Sequence, residues 1–299
     1  MTAVRLFFRS FRVEILILGM VLGSLAVVVG WMAVRLAGLD LGSCADPAVS
    51  DCASRIAEGN ALVAPADTLV FGTSVLTAAA ALLLAVPLVA REIEHGTAPL
   101  AWTVFPTRAG WLWPRIAVGL VVVIILAGVP AFAVDWFDRA REIPPVPGGS
   151  LRDHDLRGLP VVGRAALCFA IGLLVGARFG KVLPSLLIGL VVAGVAVGGL
   201  TAAHDAWLRS EAVPVGEQGA LYLGQAWRDR SGQIVDEAEA ESREAYGTPG
   251  FAAEYTFVAL GIPASRAGEV ISRETALDLL VAAVVLGFAA AIVGRRRPT

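Results

Sequence analysis

From Thr68 to Ala90 the chain runs for 23 residues without a single Asp, Glu, Lys, Arg or His, and no other feature restricts its fold as much. In hydrocarbon each backbone N–H and C=O must find its partner inside the protein, and about 20 helical residues cross the apolar layer. This stretch reads as a membrane-spanning helix. The rest of the chain agrees: 57% of its 299 residues are hydrophobic and the mean hydropathy is +0.72, too apolar for a soluble surface.

Six segments have membrane length, at about 13–37, 67–90, 113–135, 158–178, 182–203 and 275–294. The expected class is an all-α integral membrane protein. Ahead of the first span, Arg5, Arg9 and Arg12 share one arc of a helix while Phe7 and Phe11 fall opposite, which predicts a helix lying in the interface plane. The fourth span reaches full length only if Arg164 snorkels to the outer interface. Asp135 to Leu159 is charged, rich in Pro and Gly, and reads as a loop. Residues 204–273 form the one large polar insertion, in which Asp229 to Tyr246 reads as helical because Ala and Glu dominate it. The insertion is therefore expected to be a helical extracytoplasmic segment.

Orientation follows from the basic residues. With both termini, residues 91–115 and residues 178–181 on one side, that side holds 11 basic and 3 acidic residues. Short basic loops stay cytoplasmic, so both termini are expected inside a bacterial plasma membrane.

Residues 91–115 are the most informative connector. Arg91, Glu92 and Glu94 precede Gly96-Thr97, where Gly suits a helix end and Thr caps a following helix. A short helix over about 98–104, with Leu100 and Trp102, would end at Phe105-Pro106. Arg108 follows, and Trp111, Trp113 and Arg115 read as interfacial anchors. This order of acids, Gly-Thr, Leu-Ala-Trp-Thr, Arg and Trp-Leu is similar to the cytoplasmic loop of ABC-2 type permeases, the membrane subunits of ATP-binding-cassette exporters, in the actinobacterial style. Pro263-Ala-Ser-Arg266 with Glu274 resembles the stretch before the last span of that family. The resemblance implies an ATPase-coupling helix between spans 2 and 3 and an outer cap between spans 5 and 6. It also implies two separately encoded ATPase subunits that hold ATP and magnesium, and a second copy or sister permease.

Other residues carry structural expectations. Cys44 and Cys52 fall on the expected oxidising face, where a disulfide persists, with two free thiols as the alternative. Gly172, Gly176 and Gly180 repeat every fourth residue, as do Gly194 and Gly198. That spacing predicts close packing of the fourth span on the fifth, with Gly189 off the contact face. Thr73, Ser74 and Thr77, together with Ser24 and Ser185, are the hydroxyls available to a substrate path.

No chemistry of the chain's own is expected. Gly176-Ala-Arg-Phe-Gly-Lys181-Val182 has P-loop-like glycines, but their spacing is short by one and Val182 stands where Ser or Thr must hold magnesium. His95, His154 and His204 lack ligand spacing, so no metal is expected, and no basic tract suits nucleic acid. The span centres carry no acid, so ion-coupled transport is disfavoured and energy must come from a partner. The reading is a permease subunit moving a lipophilic or amphipathic molecule in contact with membrane lipid. The alternative is a non-transporting assembly or signalling scaffold whose outer segment binds a partner.

Overall fold

The computed structural model describes residues 2–45, 51–98, 107–142, 150–216, 219–235, 237–243 and 249–295. In chain order these give α1 (Thr2–Gly38), α2 (Cys52–Val63), α3 (Ala66–Glu94), α4 (Arg108–Ala140), α5 (Gly158–Phe179) and α6 (Val182–Ser210). Then come β1 (Val213–Val215), β2 (Leu221–Arg228), β3 (Ile234–Val235), α7 (Glu237–Arg243), α8 (Pro249–Glu254), β4 (Thr256–Ile262) and α9 (Ala267–Arg295). Two compact units result: Met1–Pro144 with His154–Gly199 and Ile271–Thr299, and Pro145–Asp153 with Leu200–Val270.

Among the described residues six helices are long and apolar enough to cross a membrane. In the first unit α5 is the central one, with 78% of its apolar window buried, against 11% for α6 and 22% for α1. Residues such as Met20, Val27, Leu183, Val195 and Leu280 are exposed on the outer helices, as surfaces facing lipid require. Helix α5 lies against α3, and α1 against α4. Gly172 and Gly176 make the first contact close. A Cβ at Gly172 would fall 2.8 Å from the Cβ of Ala85, and one at Gly176 would fall 2.9 Å from the Val86 carbonyl oxygen.

That geometry corrects the expected pairing of the fourth and fifth spans. The glycine face of α5 is filled by α3, where Ala85 and Ala90, with Leu82 and Val86, stand against Gly172 and Gly176. Nothing lies within 4 Å of a Cβ placed on Gly194 or Gly198, whereas one on Gly189 would meet Leu82 at 3.5 Å and Val86 at 3.9 Å. The glycine set aside as off-face is the one in contact.

Two further expectations change in this unit. The N-terminal basic stretch is no separate surface helix: α1 continues unbroken from Thr2 to Gly38, because no Gly or Pro interrupts it before Gly19. The start of the expected 135–159 loop is helical through Ala140. Ion pairs at helical spacing hold it, Arg139 to Asp135 at 2.7 Å and Arg141 to Asp138 at 2.5 Å.

Beside the first span, Cys44 and Cys52 are joined in a disulfide with Cα atoms 5.5 Å apart, and Arg35 pairs with Glu58 at 2.6 Å. Closing so short a loop restrains the unfolded chain by roughly 2.5 kcal/mol. Protein denatured without reductant should resist alkylation at both cysteines, and reduction should expose the two together. Independent labelling of one in unreduced protein would remove the bridge.

The second unit departs most from expectation. In place of a helical insertion it holds a four-stranded antiparallel sheet in the order β1-β4-β2-β3. Trp227 lies opposite Val235 on one side and Phe257 on the other. Segments such as Leu221-Tyr-Leu and Thr256-Phe-Val favour a pleated strand, with aromatic and branched side chains meeting across it. Residues 229–232 form a turn rather than the start of a helix. Gly232 has φ 86°, and the Asp229 carboxylate accepts from the Ser231 hydroxyl at 2.5 Å and the Gln233 amide at 2.9 Å. The Ser231 hydroxyl is the main cause that holds the Asp229 carboxyl below its usual range. Among the described residues between β3 and β4, α7 and α8 are the helices. Phe251, Tyr255, Val235 and Ala240 form a small core on which Trp227 packs, its ring edge-on to Phe251 at 4.9 Å.

Candidate functional site

Residues 91–115 sit where α3 ends and α4 begins, and each end is shaped locally. Gly96 takes φ 69°, so the Thr97 N–H turns back to the Glu92 carbonyl at 3.0 Å and the Gly96 N–H to the Ile93 carbonyl at 3.2 Å. This is the left-handed stop that glycine permits. The Thr97 hydroxyl also donates backward, to the Glu92 carbonyl at 3.2 Å. Helix α4 starts at a true N-cap: the Thr107 side chain accepts the Gly110 N–H at 3.0 Å. Leu100, Trp102 and the expected 98–104 helix lie outside the described residues from 99 onward.

The charged residues of this connector are engaged with the helices around them. Glu92 pairs with Arg115, whose guanidinium also lies 4.6 Å from the centroid of the Trp111 ring. Glu94 accepts the Val182 N–H at 2.9 Å and so caps the first turn of α6. Arg91 reaches Glu14 of α1 at 3.8 Å, and Arg108 donates to the Gly294 carbonyl in the last turn of α9 at 3.1 Å. The ends of α3 and α4 are thus tied to each other and to α1, α6 and α9. Trp111, expected at the head-group interface, is only 1% exposed and packs inward under Arg115, whereas Trp113 is 47% exposed and free to serve as an anchor. Between α1, α3 and α4 lies a cleft of about 530 Å³ lined by Arg9, Ser10, Phe11, Pro87, Leu88, Arg91, Glu92, His95, Thr97 and Arg115.

The far end of the same unit carries charges that sequence reasoning missed or misplaced. Arg164 does not snorkel. It is buried and donates to Glu274 of α9 at 2.6 Å, with Asp155 at 3.5 Å, because pairing inside the bundle satisfies a guanidinium that lipid would not. His154 stands 3.7 Å from the same Glu274. Beside them Asp138, with a side chain 1% exposed, receives Arg141 and Arg157, each at 2.5 Å. Arg141 extends to Asp67 at 3.3 Å and Arg157 to Asp135 at 3.5 Å. Asp138 and Arg141 at i,i+3 were a local signal; the pairing of Arg164 with Glu274, 110 residues apart, had none.

Of the hydroxyls offered to a substrate path, Ser24 is exposed and the others are turned into the protein. Thr73, Ser74 and Thr77 are all buried; Thr73 donates to the Leu69 carbonyl at 2.7 Å, and Thr77 to those of Ser74 and Thr73 at 2.9 and 3.0 Å. None of them lines the cleft.

Polar contacts hold helix ends together at one pole of this unit, and buried ion pairs fasten them at the other. No curated protein and no solved structure gives a significant match to the chain. A family model described as ABC-2 membrane transporter related matches residues 15–205, from the first span into α6. With well over half its length matched and six helices fit to cross a membrane, the chain belongs to the ABC-2 membrane transporter related family.

Proposed function

We propose that the chain is the permease subunit of an ABC exporter, paired with a second copy or a sister permease and driven by two separate ATPase subunits that hold ATP and magnesium. It moves a lipophilic or amphipathic molecule across a bacterial plasma membrane, with both termini and residues 91–115 in the cytoplasm. One observation carries the reading: the ends of α3 and α4 within residues 91–115 are tied to each other through Glu92–Arg115 and to three further helices through Glu94–Val182, Arg108–Gly294 and Arg91–Glu14. A push delivered at the described ends of this segment, residues 91–98 and 107–115, reaches those helix ends through direct bonds, which supports conversion of hydrolysis into helix movement.

The test uses Glu94→Lys, Arg108→Glu and Gly96→Val. The first uncaps α6, the second releases α9, and the third forces a branched residue into a left-handed conformation. All three proteins should insert in the membrane. Substrate-stimulated hydrolysis should fall by about fivefold or more, the range of a lost coupling of 1–3 kcal/mol. If the ATPase stays bound and transport continues at the parent rate, residues 91–115 are a passive connector. If no ATPase co-purifies with the parent protein, the exporter reading itself fails.

A further inference from the structure

The cleft between α1, α3 and α4 is built unlike the rest of the unit. Among the described residues three guanidiniums, from Arg9, Arg91 and Arg115, line it against one carboxylate, Glu92, which Arg115 already engages. Arg91 meets Glu14 only at 3.8 Å, with the Arg91 side chain 54% exposed, and Arg9 is exposed. The His95 ring faces the Arg91 carbonyl through Nδ1 at 2.7 Å, and Ser10 and Thr97 add hydroxyls. The lining therefore offers several donors and a surplus of positive charge, the chemistry that recognises a phosphate.

Phe11, Pro87 and Leu88 line the same cleft, with Phe11 and Leu88 buried. The cleft also lies at a set depth. The uncharged run of α3 ends at Ala90 and Arg91 follows, while that of α4 begins at Ile116 just after Arg115. Where spanning helices change together from apolar to basic, the head-group layer begins. A volume of about 530 Å³ holds a small organic head group.

We propose that this cleft binds the phosphate head group of an anionic phospholipid, with the Arg9 and Arg91 guanidiniums on the phosphate and Phe11 and Leu88 against the glycerol end of the acyl chains. A soluble phosphate shares the charge but has no use for the apolar lining, and a zwitterionic lipid leaves the positive surplus unmatched. The bound lipid bridges α1 to α3 beside the strap of residues 91–115. The inference needs only that the helices span a bilayer and does not depend on an ATPase partner.

The full chain, purified in detergent carrying equal amounts of phosphatidylglycerol and phosphatidylcholine, is analysed by native mass spectrometry for retained lipid. The parent should keep one phosphatidylglycerol per chain in about tenfold preference. The Arg9→Gln/Arg91→Gln double variant should lose that preference, and Arg12→Gln, which removes an exposed basic residue outside the cleft, should keep it. Both variants are checked for folding by the inertness of buried Cys168 to alkylation. No preference in the parent, or a preference that survives the double variant or disappears equally with Arg12→Gln, overturns the proposal. Inorganic phosphate at about 10 mM should leave the lipid in place; displacement would assign the site to a soluble phosphate and equally overturn it.

Discussion

Replacing Asp138 by alanine should destabilise the helical unit by about 3–5 kcal/mol, the usual effect of leaving buried charges without their counterion. The Asp138 carboxylate is almost fully enclosed and receives both Arg141 and Arg157 at 2.5 Å, and the side chains of those two arginines are 4% exposed. Asp67 at 3.3 Å and Asp135 at 3.5 Å remain as weaker partners, which keeps the loss within that range. The chain provides its own reporter: Cys168 is a buried free thiol, so the temperature at which it becomes alkylated measures opening of α5. Glu58→Ala, which breaks an exposed pair with Arg35, should shift that temperature little, since such pairs contribute about 0–1 kcal/mol. Equal melting of Asp138→Ala and Glu58→Ala would show that the buried network holds nothing together.

Gly176→Val should come next in size, with a loss of about 1–3 kcal/mol or more from overpacking. Its Cβ would press on the Val86 carbonyl oxygen from 2.9 Å, and a backbone atom in a helix cannot step aside as a side-chain tip can. The shift would force α3 and α5 apart along their whole contact. Gly194→Val is the matched control, because nothing lies within 4 Å of that position and the change adds only surface. Alkylation of Cys168 at the parent temperature in the Gly176→Val protein would mean that α3 and α5 do not pack as described.

The spans were legible because membrane crossing imposes a local rule: about 20 residues must be apolar, whatever they touch. The run Thr68–Ala90 announces α3 without any knowledge of its neighbours. Helix partners obey no local rule. The glycines at 172 and 176 were readable as a contact face, yet their match to Ala85 and Val86 rather than to Gly194 depends on a packing choice between distant segments. The sheet was missed for a related reason. Ala and Glu at 237–241 gave a strong helical signal that α7 does satisfy, whereas the strands flanking it gain their stability from Trp227 meeting Phe257 and Val235 across the ladder. In residues 91–115 the sequence marked a cluster of charged side chains, and Glu92, Glu94, Arg108 and Arg115 are engaged with neighbouring helices. It did not reveal that Glu94 is spent on the α6 amide 88 residues onward, nor that Trp111 faces inward.

The burial of Arg164 has a consequence for how the protein is made. Its helix is the least hydrophobic of the six, with a mean hydropathy of 2.0 against 2.3 to 2.8 for the others. Of the two carboxylates paired with Arg164, Glu274 emerges from the ribosome 110 residues later, a delay of about 5 to 20 s at 5–20 residues per second. During that interval Asp155, already synthesised nine residues ahead of Arg164, is its only acid partner of the pair, while α3 and α4 stand ready to receive α5. Arrival of α9 then exchanges a temporary counterion for a closer permanent one, so that synthesis of α9 also fastens the far end of the bundle.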